Sequence, residues 1–566
     1  MKRARWILSF ILLSLVVLAS WLWWTRPTKV DLANYAPADS LLYIEANQPV
    51  EVMNAIYGTE VWKAFEQAGG SPQNPPSPWL RAFIRWTGIG PINSVILARA
   101  QVAAVLTDLR TIEEGDSLNI KSEGALIVET HTAERRIKAP LESALKTLAE
   151  KTYGTPTHRT VRVDGVEFSE WTPADGSRQI VGAVLGSLIV IGTSERVVQD
   201  CLAVSEGRRP SLKTDSGLQT MRVQLESEKA LTFGYVPTGN SGKLLGVGVP
   251  LLMGHAPGDS EFQRLISNGA SKVFGSLGWT SKPYLTGIED RYLISLQPSV
   301  IARLKPSFAS NNINPQLQRI VPNGAYSVTT YKFANPQAAW LSLKTAVSSQ
   351  VDALSAIVFS SLLKSALLSY GIDDPDTFLK AVDGELLTLR LDESAEQSVL
   401  IASVRDRVAL RQLIAKQMSQ RTSSASMETF EDATGEFAAT LSGEFIVIGS
   451  PADVRRYSAT KEDPGALTSA DNLRRMTLFA SATSATNVVT YTDDSDRVRS
   501  FISAVLTAKG ASPTTGKIED SIAKLPYSIT ETTLGDRGIE RATKSPLGQF
   551  SSLLPLLFPQ QPATNK

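Results

Sequence analysis

The chain reads as α+β: two related α+β domains from an internal duplication, antiparallel sheets with packed helices, behind one N-terminal transmembrane helix. A repeat predicts the duplication. LIVIGTSERVV, from Leu188 to Val198, and FIVIGSPADVR, from Phe445 to Arg455, both end a strand-like apolar run in Gly and open a helix. Short strand-like runs that follow one another across tight turns predict antiparallel sheets. An uncharged run from Trp6 to Trp24 predicts the membrane helix.

Lys2, Arg3 and Arg5 precede that run and Arg26 and Lys29 follow it; its length matches the roughly 20 residues that cross a bilayer. Trp6 at one end and Trp21, Trp23 and Trp24 at the other fall where amphipathic rings favour the headgroup region. The basic N-terminal flank predicts a cytoplasmic N-terminus with the body outside. A cleaved signal peptide is the alternative, but Ser20 has Leu18 two residues before it and the Trp cluster directly after, a poor small-x-small site. Residues 1–30 therefore read as a signal-anchor in the inner (plasma) membrane, single-pass, with a periplasmic or extracytoplasmic body. No second span is expected, because Ala353 to Leu363 is bounded by Asp352 and Lys364, and Leu244 to Met253 is too short.

In the first repeat, 31–300, Leu41 to Ala46 reads as a strand. Val50 to Gln67 follows with Met53, Ile56, Val61 and Phe65 at helical spacing, interrupted by Gly58. After a Pro-rich loop from Ser71 to Pro78, Trp79 to Trp86 suggests a short helix, and strands follow at Val102 to Leu106 and Ala125 to Val128. A long helix starts at Thr132 as N-cap, with Leu141, Leu145 and Leu148 on one face; Asp406 takes the cap position in the second repeat. Val161 to Phe168, Gln179 to Leu185 and Leu188 to Ile191 complete the unit as a meander.

The second repeat, 320–548, is found by following equivalent residues. Pro37 and Pro322 lie 285 apart, Ala46-Asn47 recurs as Ala334-Asn335 at 288, and Leu126-Ile127 recurs as Leu400-Ile401 at 274. Gly192 matches Gly449 at 257 and Tyr235 matches Tyr491 at 256. Leu212, Leu218 and Met221 match Leu467, Leu473 and Met476, all at 255. The offset falls as the second copy loses loop residues. Residues 301–319 read as a linker, because Pro306, Asn311, Asn312, Asn314 and Pro315 break periodicity, and 549–566 as an apolar and then disordered tail.

The residues Asn34-Tyr35-Ala36-Pro37-Ala38-Asp39-Ser40-Leu41-Leu42-Tyr43-Ile44-Glu45, then Ile189-Val190-Ile191-Gly192-Thr193-Ser194 with Pro210-Ser211-Leu212 downstream, carry a resemblance. Behind an anchor, this pattern resembles a bacterial family catalogued only as a domain of unknown function, number thirty-three fifty-two. The resemblance covers Asp31 to about Gly548, and the second copy departs from its opening with Asn323 and Gly324. It implies a membrane-anchored extracytoplasmic protein and supplies neither an activity nor catalytic residues.

Candidate chemistry is sparse. Lys and Arg total 57 against 56 Asp and Glu, which leaves no charge excess to steer nucleic acid. The three histidines, His131, His158 and His255, belong to no His-Glu-x-x-His arrangement. The single Cys201 excludes an intrachain disulfide and reads as a small buried hydrophobe. Four Ser-x-x-Lys pairs occur, Ser143 with Lys146, Ser361 with Lys364, Ser458 with Lys461 and Ser521 with Lys524, at unrelated places in the two copies and with no Lys-Thr-Gly. Gly239-Asn240-Ser241-Gly242-Lys243 lacks phosphate-loop spacing and reads as a flexible turn. The acids of Asp493-Asp494-Ser495-Asp496, and Asp373, Asp374 and Asp376, read as helix caps. No catalytic, cofactor-binding or metal-ligating residue is assigned, and no cofactor is expected.

Two apolar segments stand out. Lys243 to Met253 reads as core or as a lid over an apolar cavity, and Phe550 to Phe558, with Pro555 in its middle, as a segment docking on the body or a partner. The leading expectation is a non-catalytic, membrane-anchored extracytoplasmic interaction or scaffold protein with a protein partner in the cell envelope. A small-ligand or lipid-binding module is the alternative, and an envelope enzyme, needing carboxylates of both copies in one cleft, comes third. Deleting Lys2 to Trp24 is predicted to release a soluble, folded body, measured by fractionation and circular dichroism; a body that stays on membranes contradicts the single anchor.

Overall fold

The computed structural model describes residues 29–46, 48–65, 100–114, 117–252, 260–308, 320–322, 325–351, 353–393, 398–423, 427–460, 486–508, 519–520, 522 and 525–550. The expected anchor, the loop from Ser71 to Pro78, the helix from Trp79 to Trp86, most of the linker, and the tail past Phe550 lie outside them. Among the described residues no helix is long and apolar enough to cross a membrane.

The fold is mixed α+β, with a large antiparallel sheet and, among the described residues, 14 α-helices. Among the described residues, ten strands come from the first half of the chain: β1 (Leu42–Ala46), β2 (Gln101–Glu114), β3 (Ser117–Glu129), β4 (Thr157–Val163), β5 (Val166–Thr172), β6 (Ile180–Leu185), β7 (Leu188–Gly192), β8 (Thr232–Val236), β9 (Phe274–Tyr284) and β10 (Gly287–Leu296). Ten come from the second: β11 (Ser327–Lys332), β12 (Val382–Arg390), β13 (Val399–Val404), β14 (Met418–Ser423), β15 (Met427–Asp432), β16 (Ala438–Ser442), β17 (Phe445–Gly449), β18 (Val488–Thr492), β19 (Ser528–Leu534) and β20 (Gly538–Ser545).

Their antiparallel pairings run β4-β5-β6-β7-β3-β2-β1-β8-β9-β10 through the first half. From β20 the second half runs β20-β19-β18-β11-β12-β13-β17-β16-β15-β14. A seam between β10 and β20, from Ile288 opposite Ser545 to Ser295 opposite Gly538, joins them into one sheet. On one face the helices Glu195–Ser205 and Pro451–Thr460 cover the repeated strands β7 and β17, burying Val197 and Val454. The opposite face carries the helices Glu134–Tyr153 and Arg407–Ala415 toward its two ends and, nearer the seam, the cavities described below.

Several local expectations change. The helix expected from Val50 to Gln67 is two, Pro49–Tyr57 and Glu60–Phe65. Between them the Thr59 hydroxyl donates to the Ile56 carbonyl and accepts from the Trp62 N–H, capping the second helix where Gly58 ends the first. The strand expected from Val161 to Phe168 is a hairpin, β4 to β5, because Asp164 and Gly165 take φ of 51° and 83°. An Asp-Gly pair with positive φ at both residues is the sequence signature of such a turn. The long helix begins at Glu134 after Ala133, without a side-chain cap; the Thr132 hydroxyl donates instead to the Thr130 carbonyl at 3.0 Å. Asp406 does cap its helix, accepting from the Ala409 N–H at 3.0 Å. From Asn240 onward the segment expected as a flexible turn is the helix Asn240–Leu252.

At the start of the body an ion cluster fixes the chain. Asp31 accepts from the Arg222 guanidinium at 2.9 and 3.0 Å, Glu45 accepts from it at 3.0 and 3.1 Å, and the Tyr43 hydroxyl donates to Glu45 at 2.6 Å. Arg222 thereby ties the entry of the chain and β1 to the helix Ser216–Gln224.

Gly538 sits at the seam with φ 145°, and a Cβ there would stand 2.0 Å from the Ile294 carbonyl oxygen. Backbone on the partner strand cannot swing aside as a side chain can. Gly538→Ala is predicted to destabilise by about 1–3 kcal/mol in urea unfolding, whereas Gly443→Ala, where a Cβ meets nothing within 4 Å, stays near wild type.

Candidate functional site

Residues directly opposite one another in a sheet share a face, so the pairings near the seam define two parallel rows. One row crosses Leu386, Tyr331, Val488, Thr532, Arg541, Tyr292 and Trp279. The next crosses Thr388, Thr329, Thr490, Thr530, Thr543, Asp290, Ser281 and Thr232. Hydroxyls of that row bond across strands, Thr329 with Thr490 at 3.0 Å and Thr530 with Thr543 at 2.9 Å. The strand sequences carry the signal, since SVTTYK, VVTYT and SITETTL place Ser or Thr at alternate positions.

Above the first row lies an apolar cavity of about 570 Å³. Its floor is Tyr331, Phe333, Leu386, Leu400, Val488 and Leu534; Trp340 and Leu343 of the helix Pro336–Ser348 wall it, and Leu304 and Phe308 close it from the first half. Its roof is the helix Ala353–Leu368, which contributes Leu363, Ala366 and Leu367. That helix is apolar along its length, yet none of its described side chains is buried, and Leu368 is 48% exposed. The Trp340 indole N–H is buried with no acceptor among the described residues, a state that costs about 1–3 kcal/mol. The lid expected at Lys243 to Met253 is not this roof: as far as Leu252 that segment is helical and packs against the helix Ser260–Val273. The helix Ala353–Leu368 instead packs against the helices Ser260–Val273 and Pro336–Ser348, with Phe359 against Gly269, and spans the cavity beyond them.

Beside it lies a polar cleft of about 430 Å³, formed by Asp290, Tyr292, Arg541, Thr543 and Ser545 at the seam with Thr490, Asp494, Arg497 and Thr530. Asp290 is 3% exposed; it accepts from the Ser281 hydroxyl and, at 2.8 Å, from the Gln549 N–H. Burial pushes its carboxyl up to about 6, only partly offset by those bonds. No cation pairs with it among the described residues. The Arg541 guanidinium lies 6.0 Å above the Tyr292 ring and likewise has no carboxylate partner among them. Asp494, expected as a helix cap, precedes the helix with its carbonyl accepting from the Val498 N–H, but its half-buried carboxyl, raised by desolvation, accepts from Ser528 and lies 3.5 Å from Arg497. The side-chain bond to the helix start comes from Asp493, which accepts from the Ser495 N–H at 3.0 Å.

The other candidates are dispersed. His131 lies 3.9 Å from Glu129, His158 stacks on Trp171 at 4.1 Å, and His255 is outside the described residues. Cys201 is buried, and burial pushes its thiol up to about 12, which keeps it protonated. Lys146 pairs with Glu150, Ser361 and Lys364 are exposed, and the Ser458 hydroxyl bonds the Val454 carbonyl, while Lys461, Ser521 and Lys524 are outside the described residues. Asp374 caps Thr377 as expected; Asp376 lies 3.7 Å from Lys344. Among the described residues no three acidic, His or Cys side chains gather as metal ligands.

No family model, no curated protein and no solved structure matches the chain.

A raised carboxyl binds more protons folded than unfolded between the two pKa values, so Asp290 lowers stability as pH rises from about 4 to about 6. Asp290→Asn is predicted to raise unfolding free energy at pH 7.5 by up to about 3 kcal/mol, with the gain gone below pH 4, read in urea titrations at both pH values.

Proposed function

We propose that the chain is a non-catalytic, membrane-anchored extracytoplasmic protein, built by duplication, that holds an apolar ligand in the cavity under the helix Ala353–Leu368. The observation that carries this reading is the cavity itself: about 570 Å³ of apolar-lined space with one unpartnered indole N–H. Ligand sites run roughly 300–1,000 Å³, mostly apolar with a few placed polar groups. A scaffold makes no demand on such a space, and the apolar-ligand reading therefore takes precedence over it.

The anchor rests on Trp6 to Trp24 and its basic flank, and the family on the quoted residues alone. Three features support the duplication. Counted outward from the seam, the strand order of the second half repeats that of the first with each number raised by ten, β10-β9-β8-β1 against β20-β19-β18-β11. Leu126 pairs with Ile191 as Leu400 pairs with Ile448, so residues equated by sequence also share a register. Gly287-Ile288-Glu289 recurs as Gly538-Ile539-Glu540 at an offset of 251, continuing the falling series. The enzyme reading has Asp290 and Asp494 in one cleft, but both carboxylates already accept internal hydrogen bonds, which suits binding more than proton transfer.

Ala339→Trp and Leu343→Trp put an indole into the cavity. Organic extraction and mass spectrometry of the purified protein are expected to find an apolar molecule in wild type and at least about tenfold less in both variants, a loss of about 1.4 kcal/mol or more. Equal ligand content in all three proteins, or none in wild type, removes this reading and leaves a protein partner in the envelope as the one to pursue by crosslinking.

A further inference from the structure

The apolar cavity and the polar cleft share one floor. On β18 Val488 belongs to the cavity and Thr490 to the cleft, and on β19 Thr532 and Thr530 divide in the same way. Two residues along a strand span about 7 Å, so an apolar space and a hydrogen-bonding, charged space lie side by side on the same face.

The charges in the cleft are arranged unusually. Asp494 and Arg497 offset each other. Asp290 and Arg541 are left, a carboxylate and a guanidinium with no ionic partner among the described residues. Asp290 faces Thr543 and Arg541 faces Tyr292, which makes them diagonal neighbours across the seam. Such neighbours stand roughly 7–8 Å apart, too far for a direct pair at backbone separation. They occupy the same place in the two repeats, following Gly287-Ile288-Glu289 and Gly538-Ile539-Glu540, and in that place one copy carries an acid and the other a base. A buried carboxylate without a cation is unfavourable, and a bound ammonium relieves it.

We infer, on the strength of the apolar-ligand reading, that the ligand is a zwitterionic amphiphile: its tail fills the cavity, its ammonium sits at Asp290, and its phosphate or carboxylate sits at Arg541. Thr490, Thr530 and Thr543 supply hydroxyls to the head between them. The Trp340 N–H donates to an oxygen near the tail. With one acidic and one basic anchor, the cleft discriminates against heads that carry an anion alone, because Asp290 repels them.

The test uses the full-length chain in phosphatidylglycerol vesicles carrying trace phosphatidylethanolamine or phosphatidylglycerol with the same photoreactive acyl chain, followed by peptide mapping. The zwitterionic probe is expected to label peptides containing Trp340 and Leu367 roughly tenfold more than the anionic probe, the scale of one or two charge-assisted hydrogen bonds. Arg541→Gln, at an exposed position, and Asp290→Asn are each expected to bring that ratio toward one while anionic labelling persists. Equal labelling by both probes in wild type, or a ratio that survives both variants, overturns the head assignment and leaves the apolar site standing. Absence of labelling at these peptides by either probe overturns the apolar site as well.

Discussion

Eight consecutive residue pairs between β10 and β20 hold this molecule in its observed form. Each ladder hydrogen bond contributes only about 1 kcal/mol net, but leaving the seam open would expose two central strand edges at once. It would also divide the cleft, with Asp290 and Tyr292 on one side and Arg541 and Thr543 on the other. The register is fixed by the hairpins on either side, β9–β10 and β19–β20, and by Gly538, whose missing Cβ lets β20 approach the Ile294 carbonyl. A slip of one residue would turn the threonine row to the opposite face.

Away from the seam the sheet packs conventionally. Buried Val190, Val197 and Cys201 in one half, and Val447 and Val454 in the other, show helices sealing one face. Near the seam the opposite face is different, because hydroxyls and charges occupy positions that a core would fill with Val or Ile. Asp290 is the clearest case: burial raises its carboxyl, which lowers stability at neutral pH. The helix Ala353–Leu368 is a second such departure, since it packs against two neighbouring helices yet keeps Leu368 about half exposed.

Much of the local structure was legible. The strands β1, β6 and β7, the cap at Asp406 and the buried state of Cys201 follow from periodicity, capping chemistry and composition. The hairpin at Asp164-Gly165 was equally legible, and a longer apolar reading of Val161 to Phe168 overrode its turn signal. The break at Thr59 was only half visible: Gly58 marks a weak point, but a Thr that accepts from its own downstream N–H looks like any helical Thr in sequence. Lys243 to Met253 and Ala353 to Leu363 are both apolar runs, and hydropathy does not record that the first packs against a neighbouring helix while the second borders a cavity.

By itself the sequence determined the α+β class and many of the individual strands, helices and caps, because each is written in residues close together in the chain. The tertiary structure alone decided that two sheets become one, that Asp290 and Arg541, 251 residues apart in the chain, become diagonal neighbours across the seam, and that an apolar cavity adjoins a charged cleft. Strand pairing at that separation depends on which edges find each other, and no local propensity encodes it.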